Sequence, residues 1–269
     1  MTANPFTARV RQELPAGRFS WKEVSPLGLG TVKFGRNQKV KYPGGEGFAL
    51  PTDSEIESLL DLAIDCGITL LDTAPAYGVA EERLGQLLGA RRDKFFIVTK
   101  TGEEFTDGES QYIFTAAHTR MSVERSLKRL NTDYIDCVLL HCNRNDLEAV
   151  CETDALETLS RLKSEGKIGA FGASTNTVEG GKMAVVLSDC VMVSYNKNYT
   201  DERDVIAYAN ELGKPVLVKK GLASGHVGDL GDLGENIRYV VGTPGVTSLV
   251  FGSLNPSNIL ANMRAMTDL

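Results

Sequence analysis

Eight times along this chain a short apolar, β-branched run is followed by a longer segment whose apolar residues recur every three or four positions. No other feature limits the fold as much. The runs are Leu27 to Val32, Thr69 to Asp72, Phe95 to Lys100, Tyr134 to Leu140, Ile168 to Gly172, Val191 to Tyr195, Pro215 to Lys219 and Ser248 to Phe251. The helical segments open near Asp53, Val79, Thr119, Thr153, Val178, Glu202, Asp232 and Pro256, with Gly67, Gly166 and Gly213 as stop signals. Strict alternation of strand and helix requires parallel strands joined by right-handed crossovers. Eight units predict an α/β fold, a closed (β/α)8 barrel, forming a single domain over residues 1–269. A doubly wound open sheet uses the same units, but the dinucleotide fingerprint G-x-G-x-x-G is absent: Gly28-Leu29-Gly30 continues as Thr31, Val32 and Lys33.

Composition narrows the function classes. A net charge of −6 provides no basic stripe, which argues against sequence-independent binding of nucleic acid or of an anionic membrane. The five cysteines, Cys66, Cys137, Cys142, Cys151 and Cys190, are scattered and read as reduced thiols. With no apolar signal core near the start and no long apolar run, the expected location is cytoplasmic. Only three histidines occur, far apart in sequence, so no metal site is expected.

In a barrel of this kind the loops at the carboxyl ends of the strands form the working face. That rule selects Asp72 ending the second strand, Tyr77 in the loop after it, Lys100 ending the third and His141 ending the fourth. Each has an ordinary structural explanation: a turn cap, a packing ring, a snorkelling amine, a satisfied core imidazole. Convergence at one barrel mouth changes that weighting. The four suit proton donation to an oxygen that gains negative charge as its carbonyl carbon accepts hydride. A phenol with an ordinary pKa of about 10 is a poor acid at neutral pH, and an ammonium beside it favours the phenolate. Lys100 is therefore expected to lower the Tyr77 pKa, with Asp72 keeping Lys100 charged and His141 hydrogen-bonding the substrate oxygen.

The chain resembles the aldo-keto reductases in LGLGT (27–31), LLDTAPAYGVAEERLGQLL (70–88), IVTKTG (97–102), VERSLKRLNTDYIDCVLLH (123–141), EGKIGAFGAS (165–174) and VSYN (193–196). The resemblance implies that Asp72, Tyr77, Lys100 and His141 form a catalytic tetrad. It implies NAD(P)H-dependent reduction of an aldehyde or ketone to an alcohol, without metal. It places a nicotinamide near Thr31, Val32, Asp72, Ser174 and Tyr195, and the pyrophosphate near Lys219, Lys220, Gly221, Leu222, Ser224 and Gly225. The adenosine end falls on Gly252, Ser253, Asn258 and Asn262. Lysines and glycines suit a phosphate, one by charge and the other by close backbone approach.

Three departures from the family pattern stand out. Thr175 and Met192 replace an asparagine and a glutamine that would hold the carboxamide, leaving Ser174 and the neighbouring Asn176. At the 2′-phosphate region Gly252 and Asn258 stand where basic residues are usual, which weakens the case for NADP(H). Family habit still favours NADP(H) over NAD(H). Two active-face loops, 35–52 and 102–118, are candidate substrate rims, the second with Phe105, Tyr112 and Phe114. The leading expectation is a reductase of a small carbonyl compound, and its rival is a cofactor-binding sensor or regulatory barrel with little turnover. A metal-dependent lyase barrel is a third reading, disfavoured by Lys100 at a ligand position. The sequence leaves oligomeric state and substrate identity open.

Overall fold

The computed structural model describes residues 20–40, 47–223 and 232–266. A 3-10 turn, Trp21–Glu23, precedes β1 (Leu27–Gly30), α1 (Val32–Gly35) and α2 (Asp53–Asp65). Then come β2 (Leu70–Asp72), α3 (Ala80–Leu87), β3 (Phe96–Thr101), β4 (Glu103–Thr106), β5 (Glu109–Tyr112) and α4 (Ala116–Arg129). The middle holds β6 (Ile135–His141), α5 (Asp146–Cys151), α6 (Ala155–Ser164), β7 (Ile168–Ser174) and α7 (Val178–Leu187). The last elements are β8 (Cys190–Ser194), α8 (Arg203–Glu211), β9 (Val216–Lys219), α9 (Leu233–Val241), β10 (Val246–Phe251) and α10 (Pro256–Met266).

Eight of the strands close into a barrel in the order β1-β10-β9-β8-β7-β6-β3-β2, every neighbouring pair parallel. The eight expected strands are those eight. Their side chains alternate between two packed layers, as a two-residue period demands. Leu70, Phe96, Val98, Cys137, Leu139, Ala170, Met192 and Leu217 fill the barrel. Leu71, Ile97, Val138, Leu140, Val191, Val193 and Val218 pack outward against the helices. Trp21 packs on Phe96 in a tilted arrangement with ring centroids 4.6 Å apart, at the amino-terminal end of β3. Among the described residues no helix is long and apolar enough to cross a membrane, and no group of three or more His, Cys, Asp or Glu could hold a metal ion.

Local chemistry sets the helix starts. Thr52 caps α2 in a reciprocal box, its hydroxyl accepting from the Glu55 amide while Glu55 accepts from the Thr52 amide at 2.7 Å. Thr115 caps α4, so that helix begins at Ala116 rather than near Thr119. Two boundaries differ from expectation at the mouth itself. Val32 is not strand: it opens the short α1, because the backbone of Thr31 turns inward to Asp72. The segment 102–118 is not a loop throughout: β4 and β5 pair as an antiparallel hairpin around Asp107 and Gly108, both at positive φ. Of the other loop, residues 41–46 lie outside the described residues, as do Ser224 and Gly225.

Candidate active site

The inward column of the barrel continues past the apolar layer into polar residues at the carboxyl ends of the strands. Two residues beyond Leu70, Val98, Leu139 and Leu217 stand Asp72, Lys100, His141 and Lys219. Their convergence follows from strand periodicity and parallel register alone.

Lys100 donates to Asp72 Oδ1 at 2.6 Å and to the Thr73 carbonyl at 2.9 Å. Both partners of this ion pair are sealed from solvent, with side chains 2% and 6% exposed. Thr31 fixes the Asp72 backbone from β1, donating to its carbonyl through both amide (2.9 Å) and hydroxyl (3.0 Å). The ammonium also lies 4.8 Å from the centre of the Tyr77 ring. Tyr77 is held there by the turn that follows. Gly78 has φ +63°, and a Cβ on it would meet the Gly35 carbonyl oxygen. Any other residue would push the tyrosine loop off α1.

The Tyr77 phenol departs from the sequence expectation. Burial raises its pKa well above the ordinary value, with the carboxylates of Asp72 and Glu103 adding to the rise and Arg36 opposing it. Burial decides the direction, and the nearby Lys100 ammonium, whose hydrogen bonds go to Asp72 and Thr73, does not reverse it. The protonated phenol is therefore favoured over the phenolate in the resting site.

Sequence reasoning passed over Glu103. The hairpin brings its Oε2 to 2.7 Å from His141 Nδ1. The imidazole beside it holds the Glu103 carboxyl down at about 2, against the opposing effect of burial. Burial lowers the His141 pKa below its ordinary value, while Glu103 works the other way. The contact is close in distance but not aligned as a hydrogen bond, and His141 Nδ1 is buried without an aligned partner, so it is as an ion pair with a protonated ring that the two groups attract. The available signal is the dipeptide Asp107-Gly108, which is typical of a two-residue hairpin turn. Arg36 covers Phe105 of the same hairpin, its guanidinium carbon 3.3 Å from the ring centre.

Across the mouth, Lys219 donates to Ser174 Oγ at 2.9 Å and to the Thr175 carbonyl at 2.7 Å, with Asn176 Oδ1 at 3.4 Å. Asp146, from α5, accepts from the Asn176 and Thr177 amides and the Thr177 hydroxyl, and so fixes this loop. Met192 pairs in register with Ser174 and is buried. Tyr195 is not at the mouth. It lies in the layer between sheet and helices, its hydroxyl donating to Tyr239 Oη at 2.9 Å, because it falls on the outward side of the alternation after β8. Leu222 likewise packs against the outer core, and the Gly221 carbonyl accepts from Asn236 at 2.6 Å. Lys220 and Gly252 are exposed. At the start of α10, Asn258 donates to Ser253 Oγ at 3.3 Å. One turn further, the amide oxygen of Asn262 is buried with no partner.

A closed parallel barrel with acidic, basic, imidazole and phenol side chains gathered at the carboxyl ends of its strands is an enzyme-like architecture of the (β/α)8 class. The family model of the aldo/keto reductase family matches residues 26–236, and the chain belongs to that family. A solved structure of PA4992, a putative aldo-keto reductase from Pseudomonas aeruginosa, is 50% identical, with a TM-score of 0.82, covering 91% of this chain and 92% of that one. D-arabinose 1-dehydrogenase of Saccharomyces cerevisiae is 31% identical over 209 residues, 69% of this chain and 58% of the relative. The uncharacterized oxidoreductase YqkF of Bacillus subtilis is 31% identical over 185 residues, 67% of this chain. The match spans only 55% of YqkF, so the chain corresponds to little more than half the length of such relatives.

Proposed function

We propose that this protein reduces an aldehyde or ketone of a small molecule to the alcohol, using a reduced nicotinamide dinucleotide and a proton held at Tyr77. The observation that carries the reading is the junction at the mouth: Lys100 bonds Asp72 at 2.6 Å beneath the Tyr77 ring, and Glu103 links His141 to the same group of charges.

The residues present suit the cofactor. The unpartnered Asn262 oxygen is a buried acceptor of the kind a purine amine satisfies, and Ser253 and Asn258 add polar atoms at the start of α10. Ser174 and Asn176 would hold the carboxamide end, with Lys219 beside them, and Lys220 would neutralise phosphate. When bound, the reduced nicotinamide supplies hydride to the carbonyl carbon. The protein's part is proton delivery and positioning. Tyr77 donates its phenolic proton to the carbonyl oxygen, helped by the Lys100 ammonium, which stabilises the negative charge left on the phenol as the proton departs. His141 orients the same oxygen, and the Glu103 carboxylate 2.7 Å from its Nδ1 favours the protonated ring, in which Nε2 donates. By family habit NADP(H) is favoured over NAD(H), and the bare 2′ region, with Gly252 and Asn258, makes that preference small. The protein is proposed to work in the cytoplasm.

The test is transfer of label. Purified protein is mixed with 4-deuterated NADPH or NADH and a panel of aldehydes and dicarbonyls, and the alcohols are analysed by mass. One deuterium at the former carbonyl carbon is the expected result. Cofactor binding with no labelled alcohol from any member of the panel would instead establish a sensor or regulatory barrel, the reading that Lys219 on Ser174 favours.

The Glu103 contact leads to a prediction about pH. Reductive kcat/KM should fall as pH rises through the His141 ionisation, because only the imidazolium carries hydrogen on both nitrogens and a charge to stabilise the substrate oxygen. Replacing Glu103 by Gln removes the charge that supports the imidazolium, so that limb should move to lower pH. At neutral pH the loss should be roughly tenfold or more, the scale of a charge-assisted hydrogen bond. A pH profile of the variant that overlays the parent would refute the assignment.

A further inference from the structure

We propose that Lys219 sets a positive charge beside the nicotinamide ring and so selects the reduced, uncharged ring over the oxidised, cationic one. The inference rests on the reading above, in which Ser174 and Asn176 receive the carboxamide. Lys219 occupies those acceptors: Ser174 Oγ at 2.9 Å, the Thr175 carbonyl at 2.7 Å and Asn176 Oδ1 at 3.4 Å. Three acceptors are all that an ammonium can use, and all three are neutral. No carboxylate among the described residues lies within ion-pair distance of Lys219, so its charge is hydrogen-bonded but not cancelled. The acceptors themselves are immobilised through Asp146.

The oxidised and reduced dinucleotides share their phosphates and adenosine and differ by one unit of charge on the ring. Repulsion from a fixed cation falls only on the oxidised form. A unit charge several ångströms away, at an effective dielectric of about 20, is worth roughly tenfold or more in binding. The other groups facing Lys219 do not remove this bias. Lys100 and Lys220 are cationic and disfavour its charge, and His141 lies close enough to feel it. Burial raises the Cys142 thiol to about 12, which keeps it neutral. Glu202 is the carboxylate acting on Lys219. Its oxygens accept from the Ser194 amide at 2.8 Å and the Thr175 hydroxyl at 3.4 Å, and burial, with Asp146 adding, raises it to about 7. Burial lowers Lys219 to about 8, so the ammonium is present at pH 7 and lost by pH 9.5.

The experiment is equilibrium titration of the full chain with NADP+ and with NADPH, for the parent, Lys219→Met and Lys219→Arg, at pH 7 and pH 9.5. At pH 7 the parent should bind NADPH at least about tenfold more tightly than NADP+. Lys219→Met should bring the two affinities within about threefold, chiefly by strengthening NADP+, while Lys219→Arg keeps the bias. In the parent the bias should also shrink at pH 9.5, a reading that needs no variant to fold. Glu202 deprotonates in the same interval, and the pH response left in Lys219→Met measures its share. If Lys219→Met strengthens or weakens both forms equally, the lysine is only a plug and the proposal is wrong. If neither form binds parent or variant, the nicotinamide reading itself fails, an outcome distinct from binding with an unchanged ratio.

Discussion

Replacing Tyr77 with Phe should lower turnover by about a hundred- to ten-thousandfold, the usual contribution of a positioned general acid, with cofactor affinity unchanged. The substitution keeps the aromatic ring that lies 4.8 Å from the Lys100 ammonium, so it removes the O–H and little else. Steady-state kinetics on a reduced aldehyde panel, with cofactor binding measured separately, distinguishes chemistry from binding. Turnover within a few-fold of the parent would eliminate Tyr77 as the acid. His141, the other group able to deliver a proton, would then take its place, and the pH limb described for Glu103→Gln would become the main signature of the site. A phenol whose pKa is raised gives a clear sign here: the acid form is favoured further into alkaline pH than for an ordinary tyrosine, so a loss of activity near neutral pH does not belong to Tyr77.

Lys100→Met should destabilise the protein by roughly 3–5 kcal/mol, because it leaves Asp72 as an unpaired carboxylate inside the barrel mouth. The pair is 2% and 6% exposed, too deep for water to compensate. Urea unfolding measures this directly as a lower midpoint at unchanged slope. A second substitution, Asp72→Asn in the same chain, should recover much of the loss, since it removes the orphaned charge, and such coupling is expected of residues in contact. A variant as stable as the parent would show that the pair is solvated in solution. As whole-domain stability is generally about 5–15 kcal/mol, the single variant is expected to be close to its folding limit.

The barrel was legible because each strand repeats one simple pattern. Short apolar runs make β2, β3 and β6, and the helix before the next run returns the chain to the same end, so Asp72, Lys100 and His141 all fall at the carboxyl ends of neighbouring parallel strands. Tyr77 could be located because it follows Asp72 across a turn that Gly78 allows. Tyr195 misled because one position decides its side: in an alternating strand a residue just past the end faces either the mouth or the helices, and Tyr195 faces Tyr239. Glu103 was missed for another reason. It belongs to a hairpin inserted between strand and helix, where apolar periodicity is interrupted and only the Asp-Gly turn signals a return. The direction of the phenol's shift is not legible in the sequence because its largest cause is burial, which the closed mouth sets, followed by the carboxylates of Asp72 and Glu103. Lys100 is beside Tyr77, with its hydrogen bonds on Asp72 and Thr73.

The β4–β5 hairpin separates two tasks that a barrel usually performs with the same residues. Asp72 and Lys100 are fixtures of the wall, and altering them endangers the fold. Glu103 belongs to a flap hung on the rim after β3, tethered by its own strand pairing and by the Arg125 guanidinium on Glu104. In the proposed reaction the acidity at which His141 works would thus be governed by an attachment rather than by the frame. Substitutions confined to that attachment would then shift the working pH and leave every stave of the barrel in place.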